Sequence, residues 1–298
     1  MYIGIDHGTT YIRFPTDQGK QFKMSRKEAT NFVIDDLSKL CELDEICGIS
    51  LSYSMGDNFT EIKPIDDLNN RGVISKEVAG KHVGGGTHVF DTIKTSKIPT
   101  IVVPGIHRGS DTDPRFKIYS HQTSPEKIGI AYLVSKTLGK SFIISDVSSN
   151  TVSLLVSQGK IVGAFDACIF APGMSHGALD VNAIRNIDSC NCTANDAFSR
   201  AGVKYNLDDK YQLPTLALWT AMECASLGIL APTASIALTG SIAPKISEEV
   251  SALIRKPVIV YDEWAAANGM AMIAHDVFTG VTDILGIKVS DSIKSITQ

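Results

Sequence analysis

Apolar and polar positions alternate in short blocks from the first residue onward. In "MYIGIDHGTTYIRF" an apolar run ends at Asp6, a small-residue turn follows at Gly8, Thr9 and Thr10, and a second extended run begins. Gln18-Gly19 then reads as a tight hairpin turn. The pattern returns half a chain later. "IGIDHGTTYIRFPTDQGK" at 3–20 and "IISDVSSNTVSLLVSQGK" at 143–160 place Asp6 and Asp146 alike and close with the same Gln-Gly-Lys. Each copy predicts strand, turn, strand, Gly turn, strand, the third strands being "QFKM" and "IVGAFD". Two copies this far apart predict two similar domains rather than a solenoid.

Helical periods fill the intervals. "SRKEATNFVIDDLSKL" opens with Ser25 and Glu28 at capping-box spacing and predicts a helix. "SPEKIGIAYLVSKTLG" predicts another, with Ser124 as N-cap, Pro125 in the first turn and Gly139 as the stop. Further helices are expected near 176–187, 193–201, 214–230 and 245–254, and in "EWAAANGMAMIAHDVF". Strands are expected in "EICGISLSYS", "TIVVPG", "SIALTG" and "PVIVYD". Strand–helix alternation of this kind predicts α/β domains. Residues 54–98, rich in Gly, Asp and Asn, read as a long functional loop.

Composition narrows the function classes. The 298 residues are 44% hydrophobic, with formal net charge -4 and a pI near 6.0. No basic excess favours nucleic acid as a partner, and no apolar run reaches a membrane span. Met1 leads straight into a strand pattern without a secretory signal. Cys41, Cys47, Cys168, Cys190, Cys192 and Cys224 read as scattered reduced thiols of a cytoplasmic protein. The pair Cys190 and Cys192 lacks the second pair that a structural zinc site needs.

The two aspartate-led hairpins, "SIALTGSIAP" and the closing "DEWAAANGMAMIA" helix resemble the superfamily of acetate kinase, sugar kinases, Hsp70 and actin. "YSHQTSPEKIGIAYLVS" and "FAPGMSHGALDVNAI" are similar to segments of acetate and butyrate kinases, and "KHVGGGTHVFD" sits where those enzymes carry a substrate loop. Taken whole, the chain resembles the methanogenesis marker protein 12 family of methanogenic archaea. The resemblance implies two duplicated actin-like (ribonuclease H-like) α/β domains with ATP or ADP and Mg²⁺ in the interdomain cleft. It places residues 1–122 with the C-terminal segment 263–298 in one domain and 123–262 in the other.

Site residues follow from the same resemblance and from their chemistry. Asp6 and Asp146 would hold Mg²⁺ through water, as suits a hard cation that keeps its hydration. Gly8, Thr9 and Thr10, and in the second copy Ser148, Ser149, Asn150 and Thr151, would offer donors to phosphate oxygens. Ser148 stands where the superfamily has glycine, which keeps the backbone farther from phosphate. Thr239, Gly240, Ser241 and Glu263 would line the adenosine. His121 and His176 are the candidate catalytic histidines, and Lys81, Gly84, Gly85 and Gly86 the substrate loop. His82 and His88 flank those glycines, where a metal site is a weaker reading than an anion-binding nest. Ser175 and Ala178 replace the arginine and acid of the acyl-kinase loop. His176 beside them is a partial substitute, and Lys81, His107, Arg108 and Arg115 are the candidate sources of positive charge in the first domain. Trp219 and Trp264 are expected in core or interface. The expected function is an ATP-dependent switch or weak ATPase in a methanogenesis-associated process. The alternative is a phosphotransferase acting on a small carboxylate or similar metabolite. A protein partner and a homodimer are the associations left open.

Overall fold

A computed structural model of the chain describes residues 1–52, 59–72 and 84–296. In chain order the first elements are β1 (Tyr2–His7), β2 (Tyr11–Pro15), β3 (Gln21–Ser25), β4 (Gly48–Leu51), β5 (Lys63–Pro64), α1 (Gly85–Ser96) and β6 (Thr100–Val102). Next come β7 (Ile106–His107), β8 (His121–Thr123), α2 (Glu126–Leu138), β9 (Phe142–Val147), β10 (Thr151–Ser157) and β11 (Lys160–Phe165). Helices α3 (Val181–Asp188), α4 (Ala194–Phe198), α5 (Val203–Asn206) and α6 (Asp209–Gly228) follow. The chain closes with β12 (Ser235–Thr239), α7 (Ala243–Ile254), β13 (Val258–Val260), α8 (Ala265–Phe278), β14 (Asp283–Ile284) and β15 (Ile287–Lys288).

The chain divides into two compact units, Met1–Thr137 with Trp264–Gln298, and Leu138–Glu263. The division falls at the end of α2, so that helix belongs to the first unit, whereas the sequence boundary at 122/123 assigns it to the second. The two sheets are built alike. In the first unit the order is β3-β2-β1-β4-β6-β5, and in the second β11-β10-β9-β12-β13. Each begins with an antiparallel meander and continues with parallel strands, β1 on β4 and β4 on β6, or β9 on β12 and β12 on β13. The Gly turns of both meanders have the expected left-handed backbone, Gly19 at φ 86° and Gly159 at φ 79°. The sequence duplication is therefore a structural duplication.

Buried side chains of the first unit gather on both meander and parallel strands, with Ile3, Ile5, Ile12, Phe14, Ile49 and Leu51 fully buried. Helix α8 covers β1 and β4. It meets α2 backbone to backbone: a Cβ at Gly269 would lie 1.8 Å from the Gly129 carbonyl oxygen. Nearer the C-terminal ends of the two helices, Tyr132 Oη donates to Asp276 Oδ2 at 2.5 Å and Lys136 Nζ donates to the same oxygen at 3.0 Å. In the second unit α6 packs on β9 and β10, and α7 packs on α6.

Two expected elements differ. The helix over 25–40 is instead a pair of 3-10 segments, Glu28–Asn31 and Ile34–Lys39. Its capping box forms, with Glu28 N–H on Ser25 Oγ at 3.2 Å and Ser25 N–H on Glu28 Oε2 at 2.7 Å. Extended backbone at Phe32 and Val33 then interrupts the helix, and Phe32 stacks on Phe14 with centroids 5.5 Å apart. Core packing of one phenylalanine overrides the helical period. The stretch 54–98 is not all loop, because α1 occupies its end. Val89, Phe90 and Ile93 bury one side of that helix, and the glycines at its start hid it from a propensity reading.

Candidate functional site

The first aspartate turn is built by register. Asp6, 3% exposed, pairs across β1 and β2 with Arg13, whose Nη1 lies 3.5 Å from Asp6 Oδ2. The Arg13 guanidinium also sits 6.0 Å from the Trp264 ring centroid. Arg26, just past β3, donates from Nε to the Gly8 carbonyl at 2.9 Å and from Nη2 to the His7 carbonyl at 3.0 Å. Thr9 and Thr10 stay exposed at the tip. Burial and the Arg26 charge hold the His7 imidazole well below its ordinary pKa, and a backbone hydrogen bond to Gly86 opposes the shift. Gly85 and Gly86 thus form the first turn of α1 beside His7 and Arg26, not a mobile loop. Gly84 precedes that turn as its N-cap. Lys81 and His82 lie outside the described residues, and His88 Nε2–H donates to the Phe32 carbonyl at 2.9 Å.

The second turn is tighter. Asp146 stands opposite Thr239 in the parallel pair β9–β12. Ser148 Oγ donates to Asp146 Oδ1 at 3.1 Å and accepts the Ser241 N–H at 3.2 Å, while Ser148 N–H goes to the Asn150 carbonyl at 2.7 Å. Both donors of Ser148 are therefore engaged inside the turn, which leaves little of the phosphate-donor role expected of it. Gly240, at φ 94°, lies so close that a Cβ would meet Asp146 Oδ1 at 2.3 Å. Thr239 Oγ1 donates to the Asp262 carbonyl at 3.1 Å, and Glu263 follows on the surface.

The segment Pro172–His176 clamps this turn from the side. Thr151 Oγ1 donates to the Pro172 carbonyl at 2.7 Å, and the Ser175 and His176 N–H groups both reach the Ser149 carbonyl at 3.0 Å. Gly173 is pressed against Ser149 and Asn150, where a Cβ would sit 2.2 Å from Ser149 O. The structure thus brings His176 to the Asp146 turn. Its ring faces the Ser149 carbonyl at 3.3 Å and the Phe198 ring at 4.9 Å. Asp180, in the same loop, caps α3 through the Ala183 N–H at 2.8 Å.

Beneath the clamp lies a polar group that the sequence reading passed over. Glu223 on α6 is fully buried and accepts Ser153 Oγ–H at 2.6 Å and Ala171 N–H at 2.8 Å. Ser153 Oγ is also 2.8 Å from Ser145 Oγ. Burial pushes the Glu223 carboxyl up to about 8; the Ser153 and Ala171 hydrogen bonds oppose the shift, and Asp166 adds to it. The Ser145 and Ser153 hydroxyls each carry one proton, so the chain of bonds Ser145 to Ser153 to Glu223 is satisfied within the site. Glu223 ties α6 to β10 and to the segment entering the clamp.

The other candidates are held elsewhere in the first unit. Arg108 donates to the Lys117 and Ile118 carbonyls at 2.9 and 3.0 Å. Arg115 pairs with Asp113 at 2.7 Å on the surface. His107 is buried against the Phe59 carbonyl at 3.0 Å. His121 lies in β8, paired with His107 in a two-stranded ribbon. Among the described residues, the cations at the first turn are Arg13 and Arg26. Arg13 lies opposite Asp6 because His7 pairs with Ile12 and four residues, 8–11, separate that pair; Arg26 and Glu223 carry no such local signal. Trp219 meets Phe170 edge-on at 5.6 Å. Among the described residues no three His, Cys, Asp or Glu side chains gather as a cation site, Cys190 and Cys192 included, and no helix is long and apolar enough to cross a membrane.

No family model matches the chain. A UPF0285 protein of Methanosarcina mazei is 42% identical over 320 residues, covering 97% of this chain and 98% of the relative. A propionate kinase from Francisella tularensis shares the fold with a TM-score of 0.64 at 12% identity, covering 92% of this chain and 98% of that one. A ROK family glucokinase from Streptomyces griseus, in complex with glucose and AMPPNP, superimposes with a TM-score of 0.51 at 13% identity, covering 92% and 99%. The fold is thus that of the actin-like ATPases to which acyl and sugar kinases belong, repeated in two units. Similarity along nearly the whole length goes further than fold, and the chain belongs to the UPF0285 protein family, whose members matched here come from methanogens.

Proposed function

We propose that this UPF0285 protein binds ATP or ADP with Mg²⁺ in the cytoplasm and acts as an ATP-dependent switch or slow ATPase on a protein partner. The resemblance to the methanogenesis marker protein 12 family makes a methanogenesis-associated process part of the same proposal. The observation that carries it is the clamp at the second turn. Ser175 and Ala178 stand where acyl kinases use an arginine and an acid, and the Ser175 backbone is already spent on Ser149. Without a guanidinium there, the planar phosphoryl group of a transfer reaction lacks a large electrostatic stabiliser. Ground-state binding of phosphates has other support. The glucokinase of the same fold was solved with AMPPNP, and the Asp6 turn holds two arginines beside a glycine and two exposed threonines.

The carboxylates suit Mg²⁺ held through water: Asp6 already faces Arg13, and Asp146 already accepts Ser148. Bound Mg²⁺ would neutralise phosphate charge. Asp6 and Asp146 are each the candidate carboxylate of their own unit for its hydration waters, and Thr9 and Thr10 would donate to phosphate oxygens. Calorimetry with ATP should show binding that EDTA abolishes. Equal affinity with and without EDTA would remove the metal role of both aspartates.

A second reading keeps transfer chemistry, because Arg13 and Arg26 give the first turn positive charge of its own. A panel of small carboxylates with ATP, scored for acyl phosphate, separates the two. Background turnover with intact nucleotide binding supports the switch, and robust turnover of acetate or butyrate supports the kinase.

A further inference from the structure

The outer face of α6 carries a straight apolar row. Tyr211, Pro214, Leu218, Met222, Ala225 and Ile229 recur at the 3.6-residue period of an α-helix, and all six are exposed. Tyr211 is 52% exposed, Leu218 46%, Met222 41% and Ile229 78%. From Tyr211 to Leu230 the chain has no Lys, Arg or Asp, and its one Glu, Glu223, is buried on the opposite face. A helix that is apolar on both faces is ordinarily covered on both.

The row is self-complementary. Laid antiparallel on its own copy about an axis between Leu218 and Met222, it sets Leu218 against Met222 and Tyr211 against Ile229. The same operation sets Asp208, just before the helix, opposite Pro232, whose carbonyl accepts from the Lys256 ammonium. Acid therefore meets base at each end, and the two helix dipoles run head to tail in opposition. Lys210, the other cation near the row, lies over the Tyr211 ring with its ammonium 4.8 Å from the centroid. The six side chains expose on the order of 500 Å², so most of the roughly 800 Å² that each partner gives to a standard interface is present before flanking residues are counted. A membrane surface is a poor occupant, since no basic cluster borders the row and the chain carries net charge -4.

We infer that α6 is the contact face between two copies of this chain, packed antiparallel about a two-fold axis between Leu218 and Met222. The inference is independent of any nucleotide. Sedimentation equilibrium of the full chain should give twice the 32.0 kDa chain mass. Leu218→Arg and Met222→Arg should each give monomers with unchanged far-UV circular dichroism and a melting temperature that no longer depends on protein concentration. Asp208→Lys should weaken the dimer, and adding Lys256→Glu should restore it. Because Asp208 and Lys256 lie outside the apolar row, this pair decides the matter even where an arginine variant folds poorly. A monomeric wild type, a dimer that survives both arginine substitutions, or an Asp208→Lys dimer that the second change leaves weak would overturn the inference.

Discussion

Glu223 keeps its proton because the folded chain gives its charge no water. Its unfolded carboxyl titrates near 4.5 and its folded one near 8, so between those values the folded state holds a proton that the unfolded state has released. Stability from this group is full below about pH 4.5 and declines as pH rises towards 8. Glu223→Gln should remove that slope: its melting temperature relative to wild type should climb from pH 5 to pH 8, as followed by thermal denaturation, and a flat difference would show that Glu223 ionises freely. Arg13 makes the complementary case. Asp6 and Arg13 side chains are 5% and 13% exposed, and truncating one member of so buried a pair typically costs about 3–5 kcal/mol. Arg13→Met should approach that cost in urea denaturation, and Asp6→Asn with Arg13→Met should recover much of it; additive losses would show that the pair is not coupled. Of these residues the sequence displayed Asp6 and Asp146 plainly, because a repeated hairpin frames them. Glu223 was hidden because its partners, Ser153 and Ala171, come from distant segments that only the tertiary fold brings together.

Among elements, the hairpins were the most legible, since register in a meander follows from turn length and strand alternation. The segment 25–40 was the least, because its local caps favour a helix while Phe32 is drawn into the core. The α2–α8 crossing belongs to the same class of feature: nothing in the helical pattern of "EKIGIAYLVSKTL" says that Gly129 must touch Gly269. Gly269→Ala should therefore be severe despite its better helix propensity, with a loss of at least about 3 kcal/mol or failure of the first unit to fold. Gains of the size expected from replacing glycine in a helix, measured by thermal unfolding, would mean that the helices can separate at little cost.

For the molecule as a whole, the division of labour between binding and catalysis can be tested at one residue. Asp146 is only half buried and is served by a surface hydroxyl. Asp146→Ala should weaken ATP by tenfold or more, about 1.4 kcal/mol, while melting of the ligand-free protein moves little. A large drop in melting temperature would mark Asp146 as part of the scaffold. Duplication made the paired meanders and their sheets readable from sequence, whereas the chemistry stayed obscure because the clamp departs from the acyl-kinase pattern at Ser175 and Ala178. The division into units has one more consequence, which concerns the order of synthesis. The first unit begins with β1 and is completed by α8, made more than 250 residues later, whereas the second unit is one uninterrupted stretch. On the ribosome the second unit can therefore close first, and the face of β1 that α8 covers waits through most of translation. A fragment of residues 138–263 should fold alone, and one of residues 1–263 should aggregate through its uncovered sheet. A soluble, cooperatively melting 1–263 fragment would show instead that the opening strands do not depend on α8.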